Sequence, residues 1–160
     1  MFYLRRITLS SFDSSTVDPP DSATGWKIYG WCETNDMKSL AIRSRLLNYS
    51  APDAKAVLDG VVKLLHKAPI GKPLNTMYDK KQCHEAHSVL VNGKEYRIWR
   101  LWPGGVVRIF FWYGSNHQII IAWPLVKRED KLSNSEKTEL GDLVKRYVEA
   151  VAKNEIQYLV

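Results

Sequence analysis

Hydrophobic positions in the second half of the chain alternate over short runs, and turn residues separate the runs. From Lys94 to Arg128 the sequence reads KEYRIWRLWPGGVVRIFFWYGSNHQIIIAWPLVKR. Period-2 patterning with aromatic and β-branched residues predicts three consecutive antiparallel strands. A fourth precedes them at His87–Val91, joined through Asn92-Gly93, the strongest two-residue hairpin signal. Pro103-Gly104-Gly105 and Gly114-Ser115-Asn116 supply the later turns. The expected result is a meander of about four strands.

Elsewhere the period changes to that of a helix. Pro52 opens the stretch PDAKAVLDGVVKLLHK, in which Val57, Leu58, Val61, Leu64 and Leu65 share one face. Pro69, Gly71 and Pro73 end it. Before it, Asp36 can cap a helix over Met37–Asn48 with Leu40, Ile42 and Leu47 on an imperfect apolar face. Ser133 and Glu136 have capping-box spacing, and the helix after them, roughly Asn134–Lys153, presents Leu140, Leu143, Val144, Tyr147 and Val151. Trp26–Glu33 reads as a strand, and residues 2–9 as a short one. Ser10–Gly25 is a polar loop, so residues 1–25 read as an N-terminal extension. Leu74–His84 reads as loop. The tail EIQYLV is a short strand or a frayed end. The expected fold is a single α+β domain over residues 1–160. It has an antiparallel meander sheet, two helices after the first strand and one C-terminal helix.

Composition narrows the function. Among 160 residues, the formal charge is +6, which favours an acidic partner such as nucleic acid. The longest apolar run, Ile119–Val126, is too short to cross a bilayer, so no membrane partner is expected. The first residues lack the apolar core of a secretion signal, and two cysteines, Cys32 and Cys83, make no disulfide scaffold. The expected setting is the cytoplasm. No P-loop, dinucleotide glycine motif, nucleophile elbow or zinc helix occurs. Cys83-His84-x-x-His87 matches no standard zinc knuckle, and neither a metal nor a cofactor is expected.

Arginines inside apolar strands need a reason, because burying them is costly. Alternation places Arg108 with Val106, Phe110 and Trp112, and Arg97 with Trp99 and Leu101. Each arginine either binds phosphate through its flat two-pronged donor set or snorkels to a sheet edge and pairs with an acid. Lys80, Lys81, His84 and His87 lie just ahead of the meander. Trp99, Trp102 and Trp112 are the candidates for base stacking.

Glu95-Tyr96-Arg97-Ile98, Val107-Arg108-Ile109-Phe110-Phe111, Ile119-Ile120-Ile121 and Val126-Lys127-Arg128 follow one another in an order that resembles the RelE/HigB-like toxins of type II toxin–antitoxin systems. The phage-derived branch is the nearest in pattern. The resemblance spans Glu95 to Val148. It departs at Tyr96, where leucine is usual, and at Trp123-Pro124-Leu125, which replaces a His-(small)-Phe pattern. It implies a RelE-like fold, mRNA cleavage often on the ribosome, and a cognate antitoxin partner. It implies a catalytic role for Arg108, a phosphate-binding or structural role for Arg97, and a place near the scissile phosphate for Lys127 and Arg128. Some HigB-like members carry a histidine and a lysine in the loop before the meander, which makes Lys81 and His84 candidates for acid–base work. The expected RNA contacts are Arg128, Lys80, His87, Arg100, Trp99 and Trp112. The alternative is a non-catalytic RNA- or protein-binding module on the same fold.

Overall fold

The computed structural model describes residues 1–160. Its strands are β1 (Phe2–Arg6), β2 (Lys27–Cys32), β3 (Cys83–Val91), β4 (Lys94–Gly104), β5 (Val107–Tyr113), β6 (Gln118–Val126) and β7 (Ile156–Leu159). The helices are α1 (Ala41–Ser44), α2 (Ala51–Lys67), α3 (Leu74–Met77) and α4 (Asn134–Ala152), with 3₁₀ turns between some of them.

All strands join one seven-stranded sheet in the order β3-β4-β5-β6-β2-β1-β7. The run β3 to β6 is antiparallel throughout, and β1 is antiparallel to β2. However, β2 lies parallel to β6, and β7 lies parallel to β1. The expectation of an antiparallel meander carrying three helices is therefore corrected: the sheet is mixed, and four helices accompany it. Antiparallel neighbours are joined by tight turns that leave a local sequence signature. Parallel neighbours are brought together by long excursions that leave none.

The two long helices cover opposite faces. Val57, Val61 and Leu64 of α2 pack on Ile28, Leu101, Ile109, Phe111, Ile119 and Ile121. Leu140, Leu143, Val144 and Tyr147 of α4 pack on Phe2, Leu4, Ile98, Phe110, Trp112 and Ile120. Central strands between two helical layers are apolar on both sides, which is why β5 and β6 read as continuous apolar runs. Both long helices are capped, and the capping box of α4 is the expected one. Ser50 accepts from Asp53 N at 3.2 Å, and Ser133 and Glu136 close a capping box.

Met37–Asn48 is broken rather than one helix. Asp36 caps only the turn Met37–Ser39. Leu40 is then extended, bridging to Cys32 and burying its side chain, and this stops the helix. Leu47, expected on an apolar face, is 87% exposed. Within the expected loop Leu74–His84, residues Leu74–Met77 form α3 and β3 begins at Cys83. The tail is strand: β7 forms one edge of the sheet and β3 the other. Asn92 and Gly93 have positive φ (52° and 81°), as the tightest hairpin turn requires.

Candidate phosphate-binding site

The site lies on the α4 side of the sheet, where β4 and β6 end and β5 begins. Cross-strand pairing puts His84 opposite Arg100, and Arg100 opposite Phe110. Phe110 belongs to the α4-side core, so Arg100 and His84 share its face. Arg108, two residues before Phe110 on β5, shares it too. A register shift between Glu85 and His87 adds a residue to β3, and it is this bulge that returns both His84 and His87 to one side.

Three basic side chains converge there on one carboxylate. Arg108 Nε donates to Asp130 Oδ1 at 2.8 Å. Arg100 Nη1 lies 3.5 Å from the same oxygen. His84 Nε2 lies 3.6 Å from Asp130 Oδ2. Arg100 and Arg108 are buried, at 1% and 7% exposure, whereas the Asp130 side chain is 51% exposed. Asp130 reaches in from the segment between β6 and α4.

The guanidiniums are held by further bonds. Arg100 Nε donates to His84 Nε2 at 3.1 Å, and its Nη2 donates to the Lys81 carbonyl at 2.7 Å. Arg108 Nη1 donates to the carbonyls of Gly105 and Val107, each at 3.2 Å. Gly105 O also accepts from Trp102 Nε1 at 2.9 Å, and the Arg108 guanidinium lies 5.6 Å from the Trp102 ring centre. Gly104 and Gly105, with φ of 133° and 61°, give the β4–β5 turn the shape that aims this carbonyl inward.

The electrostatics follow from burial. Removal from water pulls the Arg100 guanidinium below its ordinary pKa and nearby Arg108 adds to this, while Asp130 opposes both. Burial alone would raise the Asp130 carboxyl. The Arg108 hydrogen bond and the charges of Arg100 and Arg108 outweigh it and hold the carboxyl below its usual value. Two cations sharing one carboxylate leave about one unit of surplus positive charge, so the site suits a group more negative than a single carboxylate.

The remaining candidates fall elsewhere. Arg97 is exposed on the opposite face beside Trp99, 3.7 Å from Glu85 and 3.5 Å from Glu95. The strand period separates it from Arg108, so a joint hollow of Arg97, Arg108 and Lys127 does not form. Lys127 is a staple instead. Its Nζ donates to Glu136 Oε1 at 2.6 Å and to the Lys131 carbonyl at 2.7 Å. Arg128, Lys80 and Lys81 carry exposed side chains, and Lys81 serves the cluster through its backbone alone. His87 pairs with Ile98 on the α4 side; burial, helped by the charge of Lys137, lowers its pKa.

The expected stacking surfaces are not available as such. Trp112 is 2% exposed and edge-on to Tyr147 in the α4-side core. Trp99 is half-buried on the other face, edge-on to Tyr113. Tyr113 ends β5 away from the cluster, with burial pushing its hydroxyl up to about 12. Cys83 is buried in the α2-side core, so it diverges from His84.

Asp130 is the member that sequence reasoning missed as a participant. Its only signal was an acid following Lys127-Arg128, which reads equally well as charge neutralisation. Arg100 was expected as an RNA contact but not at the centre of the network. A cavity of about 370 Å³ between Arg6, Pro19, Pro20, Trp26 and Leu65 shares no residue with the cluster. The two guanidiniums lie beneath the half-exposed Asp130 carboxylate, the group through which the cluster meets solvent. No helix is long and apolar enough to cross a membrane.

In comparisons with known proteins, the chain matches no family model, no curated protein and no solved structure.

Proposed function

We propose that this protein is an endoribonuclease of the type II toxin class, holding an RNA phosphate between Arg100 and Arg108 and cleaving the chain by 2′-OH attack. The observation that carries the reading is the convergence of His84, Arg100 and Arg108 on the Asp130 carboxylate, an anion in the position a phosphate would take. The order of the segments Glu95–Ile98, Val107–Phe111, Ile119–Ile121 and Val126–Arg128 adds the resemblance to RelE/HigB-like toxins. From it come mRNA as substrate, the ribosome as a setting and an antitoxin as partner.

In this reading a phosphodiester displaces Asp130, and Arg100 turns its donors toward it. His84 Nε2 is thereby released and takes the proton of the 2′-OH, a step of the kind that contributes on the order of 10²–10⁴-fold. The 2′-oxygen attacks phosphorus. The pentavalent phosphorane carries more negative charge than the diester, and the two guanidiniums stabilise that increment. The 5′-oxygen departs with a proton from water, leaving a 2′,3′-cyclic phosphate.

A second reading is a non-catalytic RNA- or protein-binding module. It is favoured by Arg97 and Lys127, two expected catalytic cations that are engaged with carboxylates. Expression in a bacterial host separates the two. The nuclease reading expects growth arrest with cleaved messages, and their loss in Arg108→Gln with the fold intact. Unimpeded growth with uncut messages and well-folded wild-type protein favours the binding module.

A further inference from the structure

On the same side of the sheet, Arg45 sits on Trp123. Its guanidinium carbon is 4.2 Å from the ring centre, the shortest cation–ring approach in the molecule. Trp123 is 4% exposed and packs against Trp31 with ring centres 5.5 Å apart. The Arg45 side chain is 31% exposed, so one face of the guanidinium rests on the indole while the group still reaches solvent. A single contact of 3.3 Å to the half-exposed Glu33 is its only ion pair.

Its position relates it to the phosphate-binding cluster. Arg108 pairs across strands with Leu125, and Trp123 lies two residues before Leu125 on β6. Trp123 and Leu125 both pack in the α4-side core, so they share the face of Arg108. One inter-strand step and two residues along a strand put Trp123 about 8 Å from Arg108, Cα to Cα. That is close to the repeat of one nucleotide in an extended strand. The segment carrying Asp130 runs toward β3 and β4, where it meets His84 and Arg100, and so leaves β6 on the side away from Arg45.

We propose that Arg45, backed by Trp123, is a stacking platform for the base of a nucleotide neighbouring the phosphate at Arg108. This rests on the RNA reading and deepens it: the substrate is a single strand crossing the sheet from β3 toward β2, not a mononucleotide. An arginine plane laid on an indole offers a flat cationic surface that accepts any base, so the platform contributes affinity without sequence choice. Glu33 holds the guanidinium flat when RNA is absent.

The test uses the full chain and two non-cleavable probes, a fluorescein-labelled 2′-O-methyl hexa-adenylate and an abasic deoxyribose-phosphate hexamer as its competitor. Arg45→Ala should weaken hexa-adenylate binding about tenfold and leave competition by the abasic strand unchanged. Arg45→Lys, which keeps the charge but not the plane, should weaken it nearly as much. Hexa-adenylate affinity unchanged in Arg45→Ala, or restored by Arg45→Lys, overturns the platform. Equal loss with both probes overturns it too, because the effect then does not depend on a base. Asp130→Ala separates this from the parent reading: tighter binding of both probes keeps the phosphate site even where the platform fails. A wild-type protein that binds neither probe removes both.

Discussion

Arg100 donates its Nε–H to Nε2 of His84 at 3.1 Å, and His84 Nδ1 lies 3.0 Å from the Glu85 carbonyl. The first contact makes Nε2 an acceptor, which leaves Nδ1 to carry the proton and donate to Glu85. The two contacts fix the orientation of the imidazole, with Nε2 against Arg100 and 3.6 Å from the Asp130 carboxylate. His84→Ala should lower RNA cleavage on the order of 10²–10⁴-fold. Affinity for a non-cleavable oligonucleotide should change much less, since the arginines remain. Single-turnover rates beside equilibrium binding check this. A parallel fall in both would reassign His84 to binding.

Asp130 neutralises two buried guanidiniums from an exposed loop position. Replacing it with alanine leaves those charges without their carboxylate, and the protein should lose roughly 1–3 kcal/mol, below the full cost of breaking a buried pair because Asp130 is half exposed. Phosphate should then restore stability, raising the melting temperature more in Asp130→Ala than in wild type. Thermal melts with and without millimolar phosphate measure this, and an equal response in both proteins speaks against an anion site.

Acid should loosen the segment between β6 and α4. Burial acts to raise the Glu136 carboxyl, but the Lys127 hydrogen bond and the Ser133 contacts hold it below its usual value, as the arginines do for Asp130. Groups with depressed folded values stabilise fully above their unfolded pKa, about 3.9 for Asp and 4.3 for Glu, and lose that contribution as pH falls through the folded values. Stability from this source should be flat above about pH 5 and decline below about pH 4. Glu136→Gln should remove part of the slope, worth about 1 kcal/mol or less. Denaturant titrations across pH 3–6 read it, and an unchanged slope in the variant contradicts the assignment.

Gly60 lies in the interior of α2, where alanine is ordinarily favoured by about 1 kcal/mol. Here a Cβ would stand 2.7 Å from Pro103 Cβ, in the turn that carries the Gly105 carbonyl to Arg108. Overpacking of this kind costs about 1–3 kcal/mol, so it outweighs propensity. Gly60→Ala should therefore destabilise the protein, as chemical denaturation would show. A stabilised variant would mean that α2 rides more loosely on the turn than the packing indicates.

The four antiparallel strands were legible because each turn leaves local chemistry: Asn92-Gly93, Pro103-Gly104-Gly105, Gly114-Ser115-Asn116. Pro52 at the start of α2 and the capping box of α4 were legible for the same reason. The pairings of β2 with β6 and β1 with β7 were not, since no local pattern records which distant strands meet. Alternation grouped residues within each strand but did not relate one strand to the next, so Arg97 and Arg108 were assigned to one site. The error was to infer a shared site from closeness in sequence across two faces of a sheet. The ion pair of Lys127 was not foreseen because its partner, Glu136, was already accounted for as a helix cap; the same carboxylate does both.

The central claim is that His84, Arg100 and Arg108 act together on an RNA phosphate. End-group analysis of labelled RNA incubated with the purified protein, both free and on translating ribosomes, tests it most directly. The account predicts new 2′,3′-cyclic phosphate and 5′-hydroxyl ends that vanish in His84→Ala and Arg108→Gln. Intact RNA in both settings, or cleavage that survives both substitutions in folded protein, would contradict it.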